Sequence, residues 1–222
     1  MGKMFKINGK VMRTWNPFTG CGFECTYCWA RPLAEGKLAR SYPNGFIPEF
    51  HPDRLKVKFH HGETVFVSDM GDISFASWPA LRSILEVIEH NPETDFLIQT
   101  KDPAMFLNGR GWLPNIIQGT TIETNREITG SKAPRTVSRY HSFAVNNHPR
   151  KMVSIEPIMD FDPSVFTAWI LDIAPRIVQI GADNYRHNLP EPSWGKVAHL
   201  ISVLESAGIH VEQKDGLKRL CR

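Results

Sequence analysis

Short apolar runs rich in strand-forming residues recur through this chain and constrain its fold more than any other feature. They occupy residues 64–69, 96–100, 116–121, 152–156, 177–181 and 210–213. Runs of this kind are typical of parallel strands that are buried on both faces. With a first strand at 11–15, the pattern predicts six or seven strands. Their starts lie about 20 to 35 residues apart, which is the spacing of βαβ units.

Helical periodicity fills three of the intervals between these runs. The helical segments are 78–90, 163–174 and 193–207, with Ser77, Asp162 and Ser193 at the N-caps and Gly208 at the last stop. This order predicts an α/β fold in which right-handed crossovers wrap the parallel strands into a partial TIM-like (β/α)6 barrel. No repeat, low-complexity run or linker interrupts the sequence, so we expect a single domain spanning residues 1–222.

The composition sets limits on location and partners. Hydrophobic residues make up 41% of the chain, and no apolar stretch approaches the roughly 20 residues of a membrane-spanning helix. The formal net charge of +3 permits an anionic partner without demanding one. The N-terminus has no apolar signal-peptide core and the four cysteines are sparse. We therefore expect reduced thiols, no membrane partner and a cytoplasmic location.

Three of the four cysteines are grouped in one short run. Cys21, Cys25 and Cys28 have the spacing C-x3-C-x2-C, and Tyr27 directly precedes the last of them. Three thiolates on one loop can hold three irons of a four-iron, four-sulfur (4Fe-4S) cluster, and no fourth cysteine lies near enough in sequence to close the site. The remaining iron would be open to the amino and carboxylate groups of S-adenosylmethionine.

Two other interpretations of the cysteines are compatible with the sequence. A structural zinc site normally uses four ligands in two paired knuckles, whereas this run offers one knuckle, an extra cysteine and no nearby histidine. The cysteines could also remain an unbound cluster. A disulfide framework is disfavoured because the chain shows no sign of an oxidising compartment.

Polar residues follow the predicted strands. They are Ser68, Asp69 and Asp72; Gln99, Thr100 and Lys101; Thr121, Glu123 and Asn125; Ser154 and Glu156; Gly181, Asp183 and Asn184; and Gln213 and Lys214. Exposure of strand ends to solvent would explain about half of them without any ligand. Glu123 and Glu156 are harder to explain, because a carboxylate beside a buried strand is costly unless a cation or a ligand pairs with it.

The cysteine run resembles the signature loop of the radical S-adenosylmethionine superfamily. More closely, the chain resembles a phage-associated radical-SAM-like family that opens with Trp-Asn-Pro-x-Thr-Gly-Cys and whose reaction is unassigned. The resemblance covers nearly the whole chain. It is carried by residues 15–21, 65–72, 99–101, 121–123, 154–157 and Gly181.

The resemblance implies a role for each matching residue. The cluster ligands would be Cys21, Cys25 and Cys28. The cofactor-binding residues would be Tyr27, Ser68, Asp69, Asp72, Glu123, Ser154, Glu156 and Gly181. Among these, the Tyr27 backbone would face the adenine, residues 68–72 the methionine amino group and Glu123 the ribose hydroxyls. Ser154 and Glu156 would face the adenosyl group or the substrate. Ordinary turns and structural ion pairs are the alternative for these side chains.

The activity implied is that of a radical S-adenosylmethionine enzyme. An external electron donor would reduce the 4Fe-4S cluster, which would cleave S-adenosylmethionine to a 5′-deoxyadenosyl radical that abstracts hydrogen from an unknown substrate. Cys221 is a weak candidate for a hydrogen donor, because an exposed chain end rarely holds a group in register. The alternative is a non-enzymatic iron-sulfur or S-adenosylmethionine-binding protein that kept the fold.

A basic segment at 126–151 suggests one class of substrate. Its cations include Arg126, Lys132, Arg135 and Arg139. A nucleic acid or nucleotide would suit this segment, as the object of a modification or repair reaction. A solvated helix face beside a loop would explain the same residues.

Overall fold

The computed structural model describes residues 6–7, 9–108 and 111–221. The strands are β1 (Lys6–Ile7), β2 (Lys10–Val11), β3 (Arg13–Trp15), β4 (Phe18–Thr19), β5 (Glu49–Phe50), β6 (Thr64–Val67), β7 (Asp95–Thr100), β8 (Ile116–Thr121), β9 (Lys151–Ile155), β10 (Ile177–Ile180) and β11 (His210–Gln213). The α-helices are α1 (Ala30–Glu35), α2 (Trp78–Glu89), α3 (Thr136–Ala144), α4 (Pro163–Ile173) and α5 (Trp194–Ser206). Short 3-10 helices lie at Ala39–Ser41, Pro52–Leu55, Ile73–Phe75, Pro103–Leu107 and Asp215–Cys221.

The chain divides into two compact units. The first comprises Met1–Thr100 and Gly111–Ile117, and the second comprises Lys101–Arg110 and Gln118–Arg222. Strand β8 begins in the first unit and continues in the second.

Parallel strands β3, β6 and β7 form the centre of the first unit. Thr14 pairs with Phe66, and Val65 pairs with Phe96. The amide of Phe96 also donates to the carbonyl of Asn115, just before β8, at 2.9 Å. Two small antiparallel pairs, β1 with β2 and β4 with β5, stand apart from this sheet. The chain that follows β4 lies beside the end of β6, where Gly20 forms a parallel bridge with Gly71.

The second unit contains the rest of β8 and strands β9, β10 and β11, again all parallel. Gln118 pairs with Lys151, Met152 with Ile177, and Ile177 with His210. Helices α3 and α4 are neighbours, as are α4 and α5. The carboxyl ends of these strands therefore meet at one edge of the unit, where the predicted polar residues lie.

The structure confirms the predicted α/β fold and its parallel strands, which number seven in the described part of the chain. The six main strands lie within one residue or two of their predicted bounds, but the first is shorter, because Lys10–Val11 belongs to the antiparallel pair. Ser77 caps α2 as predicted, whereas the Asp162 carboxylate binds Arg126 instead of the α4 backbone. No helix of the described residues is long and apolar enough to cross a bilayer.

Close backbone contacts fix the start of the cysteine loop. Gly20 donates to the Met70 carbonyl at 2.9 Å and accepts from the Asp72 amide at 3.1 Å. Gly20 has a φ of 80°, and a Cβ there would overlap the backbone of Ile47. Gly71 faces Gly20 so closely that its own Cβ would lie 2.7 Å from the Gly20 oxygen. Both positions require glycine.

This contact predicts that Gly20→Ala destabilises the fold much more than Gly62→Ala. Both residues have positive φ, but nothing lies within 4 Å of a Cβ on Gly62. We expect Gly62→Ala to cost about 1 to 2 kcal/mol for the left-handed backbone alone. Gly20→Ala adds overpacking, which costs about 1 to 3 kcal/mol more. Urea unfolding of the two variants measures the difference, and equal costs would contradict the close approach.

Candidate functional site

The three grouped cysteines lie on the loop between β4 and α1. The Cys21 amide donates to the Phe46 carbonyl at 3.0 Å, and the Cys28 amide donates to the Cys25 carbonyl at 3.1 Å. Glu24, in the middle of the loop, has a φ of 50°. The loop thus turns back on itself within a few residues, which keeps the three thiols in one region.

A backbone amide donates to each of two of the sulfurs. The Phe23 amide donates to the Cys21 Sγ at 3.4 Å, and the Arg31 amide donates to the Cys28 Sγ at 3.3 Å. Both cysteines also pack against an apolar cluster made of Ala30, Ala34, Phe46 and Met70. Amide hydrogen bonds and partial exclusion of water are two ways in which a protein sets the reduction potential of a metal site with thiolate ligands.

The pKa of Cys21 is affected by other titratable groups that lie near it. Burial, together with charge repulsion from Asp72, Cys25 and Cys28, raises this pKa to about 12. The Cys21 thiol is therefore protonated at neutral pH when no metal is bound, and a metal would displace the proton. Within the described residues, no group of three or more histidine, cysteine or acidic side chains is arranged to hold a metal ion. A 4Fe-4S cluster distributes its thiolates over separate irons.

Ser68 occupies a strained position at the end of β6. It has a φ of 58°, which a residue with a side chain rarely adopts. Its amide donates to the Trp15 carbonyl at 2.7 Å. The side chain is only 3% exposed, and its hydroxyl has no hydrogen-bond partner in the part of the chain that the structure describes. An unsatisfied buried hydroxyl beside the cysteine loop is the clearest sign of a ligand in the first unit.

The two acidic residues after Ser68 have different surroundings. Asp72 accepts on Oδ1 from the Ser74 hydroxyl at 2.7 Å and from the Thr100 hydroxyl at 2.6 Å. Asp69 accepts from Asn16 at 2.7 Å, and burial raises its pKa to about 6. One oxygen of Asp72 therefore holds the loop together. The contact of these residues with a methionine amino group stays a prediction. The contact of the Tyr27 backbone with the adenine also stays a prediction.

Glu123 is fully buried in the second unit and is paired with two cations. Its carboxylate accepts from Lys101 Nζ at 2.5 Å and from Arg139 Nη1 at 2.8 Å. Arg139 is itself 2% exposed and also donates to the carbonyls of Thr121 and Pro134. These two ion pairs explain why a carboxylate can be buried here, as the structural alternative to a cofactor role requires. The predicted contact of Glu123 with ribose hydroxyls remains a prediction.

One of the four cations predicted for the basic surface is buried. Arg139 was expected to face an anionic partner, but it lies inside the unit because Glu123 attracts it there. Arg126 binds both Asp160 and Asp162, which neutralises its charge. Lys132 and Arg135 are exposed, and Arg135 lies 3.9 Å from Glu127. The segment is therefore a weaker anion-binding surface than its sequence indicates.

Ser154, Glu156 and Gly181 lie at the carboxyl ends of β9 and β10. Ser154 is buried and pairs with Gln179 in the neighbouring strand. Glu156 follows β9 directly and contacts Gly181, where a Cβ would lie 2.6 Å from the carboxylate oxygen. Their cofactor roles stay predictions. Cys221 is exposed on the last 3-10 helix, and its donor role is likewise a prediction.

Sequence reasoning missed the partners of these acids. The sequence places Lys101 at a strand end but does not indicate that it pairs with Glu123, and it predicts a surface position for Arg139. The hydrogen bond between the buried Asp183 and His187, at 2.7 Å, was not foreseen either. The i, i+4 spacing of that last pair is the only one of these signals that the sequence carries.

The Glu123 ion pairs generate a stability prediction. Glu123→Ala should lower the free energy of unfolding by about 3 to 5 kcal/mol, because it leaves Arg139 buried without a counter-charge. The control is Arg135→Ala, which removes a 72% exposed side chain 3.9 Å from its partner and should change stability by about 0.5 kcal/mol or less. Urea unfolding measures both, and similar losses would mean that Glu123 is not a structural anchor.

Comparison with known proteins places the chain in a family. A family model described as "Protein of unknown function (DUF5131)" matches residues 9–170, which is well over half of the chain. No curated protein matches the chain significantly. The chain therefore belongs to the DUF5131 family of proteins of unknown function.

Proposed function

We propose that this protein is a radical S-adenosylmethionine enzyme that holds a 4Fe-4S cluster on Cys21, Cys25 and Cys28. The observation that carries the proposal is the arrangement of the three thiols on one folded loop, where Cys25 and Cys28 act electrostatically on Cys21. The proposal includes the finer fold expected from the sequence, a partial (β/α)6 barrel of the radical-SAM type. The seven parallel strands support it.

The chain's own residues would give the cluster its environment. The amides of Phe23 and Arg31 already point at two of the sulfurs and would stabilise them as thiolates. Phe46 and Met70 belong to the apolar cluster that covers the same sulfurs. This cover would keep water away from the metal. When bound, the cluster and S-adenosylmethionine would supply reductive cleavage of the cofactor and abstraction of hydrogen from a substrate.

The cofactor itself would meet the end of β6. The unpartnered hydroxyl of Ser68 can donate to a carboxylate or accept from an ammonium group, and S-adenosylmethionine carries both. Asp72 acts on the Cys21 thiol, so this strand end and the cysteine loop are within electrostatic reach of each other. A ligand that satisfies Ser68 would therefore also lie beside the cluster loop.

A non-enzymatic iron-sulfur or S-adenosylmethionine-binding protein remains the second candidate. Such a protein would carry the same cysteines and would bind the same cofactor. Formation of 5′-deoxyadenosine separates the two, because only an enzyme cleaves the cofactor under reducing conditions.

The cysteine loop predicts the metal content. Anaerobically reconstituted protein should contain about four irons per chain and lose them when any one of Cys21, Cys25 or Cys28 is changed to Ala. Cys221→Ala is the matched control and should keep its iron, since this exposed cysteine lies outside the loop. Iron and zinc analysis of the four variants measures this. Stoichiometric zinc without iron in the parent protein would refute the cluster.

Ser68 predicts a loss of cofactor binding without a loss of stability. Ser68→Ala should weaken S-adenosylmethionine binding by about 2-fold to 10-fold, the cost of one hydrogen bond. The unfolding free energy should not fall, since the hydroxyl has no partner to lose. Thr167→Val is the control, because it removes another buried unpartnered hydroxyl, in α4. Equal affinities of the parent and Ser68→Ala in an anaerobic titration would remove Ser68 from the site.

A further inference from the structure

We propose that Glu156 is a ligand-binding carboxylate that takes a cationic N–H group, an amine or a guanidine, of the substrate. The inference deepens the proposed function by naming a chemical feature of the substrate. The inference rests on the proposed function at one point only, which is that the ligand of Glu156 is the substrate of the enzyme.

The strand register places Glu156 in a row at the carboxyl edge of the second unit. Ile155, Ile180 and Gln213 form the last paired row across β9, β10 and β11. Each strand continues by one residue, to Glu156, Gly181 and Lys214. The Gly181 amide donates to the Ile155 carbonyl at 3.1 Å, and the Lys214 amide donates to the Ile180 carbonyl at 2.9 Å. These hydrogen bonds hold the row in place.

Gly181 makes room for the Glu156 carboxylate. A Cβ at Gly181 would lie 2.6 Å from Glu156 Oε1 and 2.7 Å from its carboxyl carbon. The Gly181 amide and carbonyl are both used in backbone hydrogen bonds, to Ile155 and Ile158. The neighbouring strand therefore packs against the carboxylate without giving it a hydrogen bond.

Glu123 has cationic partners within the fold, but Glu156 has none among the described residues. Across the described residues, the Glu156 carboxylate makes no hydrogen bond and no ion pair of 4.0 Å or less, while Glu123 in the same unit has Lys101 and Arg139. Burial raises the pKa of Glu156, and only the more distant charge of Lys214 opposes that shift. Glu156 is partly buried, and a carboxylate that is partly withdrawn from water is stabilised when a donor reaches it.

The missing partner defines the ligand. An ionised carboxylate only accepts hydrogen bonds, so the ligand must donate. A cationic donor restores both the hydrogen bond and the charge balance, whereas a neutral hydroxyl restores only the first. Glu123 shows the same solution inside the fold, because its two partners are an ammonium and a guanidinium. The substrate group therefore carries nitrogen and a positive charge.

The first arm of the test is stability without ligand. The full-length Glu156→Gln variant should have a higher urea midpoint than the parent at pH 7.5, since a neutral isostere replaces an unpaired carboxylate. Glu123→Gln is the matched control and should have a lower midpoint, because it breaks two ion pairs. A lower midpoint for Glu156→Gln would show a structural partner and would overturn the proposal.

The second arm uses simple ligands. Butylammonium and methylguanidinium represent the two sources of a cationic N–H group, and butanol is the neutral control. The carboxyl carbon resonance of Glu156, identified by its absence in Glu156→Gln, should shift with one or both cations and not with butanol. Affinity for the active cation should be about tenfold weaker, or worse, in Glu156→Gln. No shift with either cation, or an equal shift with butanol, would overturn the ligand class.

A third arm separates substrate from cofactor. S-adenosylmethionine also carries positive charge, and its affinity should be the same in the parent and in Glu156→Gln. Loss of that affinity in the variant would move Glu156 to the cofactor and overturn the substrate assignment. Failure of the parent to bind S-adenosylmethionine at all would contradict the proposed function instead, and the first two arms would still decide the role of the carboxylate.

Discussion

The contact between Gly20 and Gly71 is the constraint on which the candidate site in the first unit depends. Two stretches of backbone meet there with no side chain between them, and the Gly20 amide and carbonyl bind residues on either side of Gly71. Cys21 comes next in the chain, so its position is tied to the end of β6. The three cysteines, Ser68 and Asp72 are brought into one region by this single approach of two loops.

Two glutamates of the second unit, the buried Glu123 and the partly buried Glu156, illustrate how the same sequence pattern can have two outcomes. Glu123 and Glu156 each follow an apolar strand, and nothing in the local sequence distinguishes them. Glu123 is compensated within the fold by Arg139, which comes from α3. Glu156 faces a glycine instead. The difference arises from what the neighbouring elements present at each strand end, and it separates a structural carboxylate from one that is available to a ligand.

Much of the fold could be predicted because its signals are local. The run 116–121 is a strand at its predicted bounds, and α5 ends where Gly208 adopts a φ of 80°. The cysteine spacing is equally local. The place of Arg139 was wrong, because α3 is short and whether an arginine on it turns inward depends on a carboxylate from another element. The Asp72 to Thr100 hydrogen bond likewise requires knowledge of which strands are neighbours.

The raised pKa of Cys21 has a consequence for the handling of the protein in air. Oxidation and disulfide exchange proceed through the thiolate, and a thiol with a pKa of about 12 is almost entirely protonated at neutral pH. The Cys21 thiol is therefore a poor nucleophile, and the apolar cluster around Phe46 shields it further. Without a metal, Cys21 is therefore expected to react with oxidants and disulfides more slowly than a thiol of ordinary pKa.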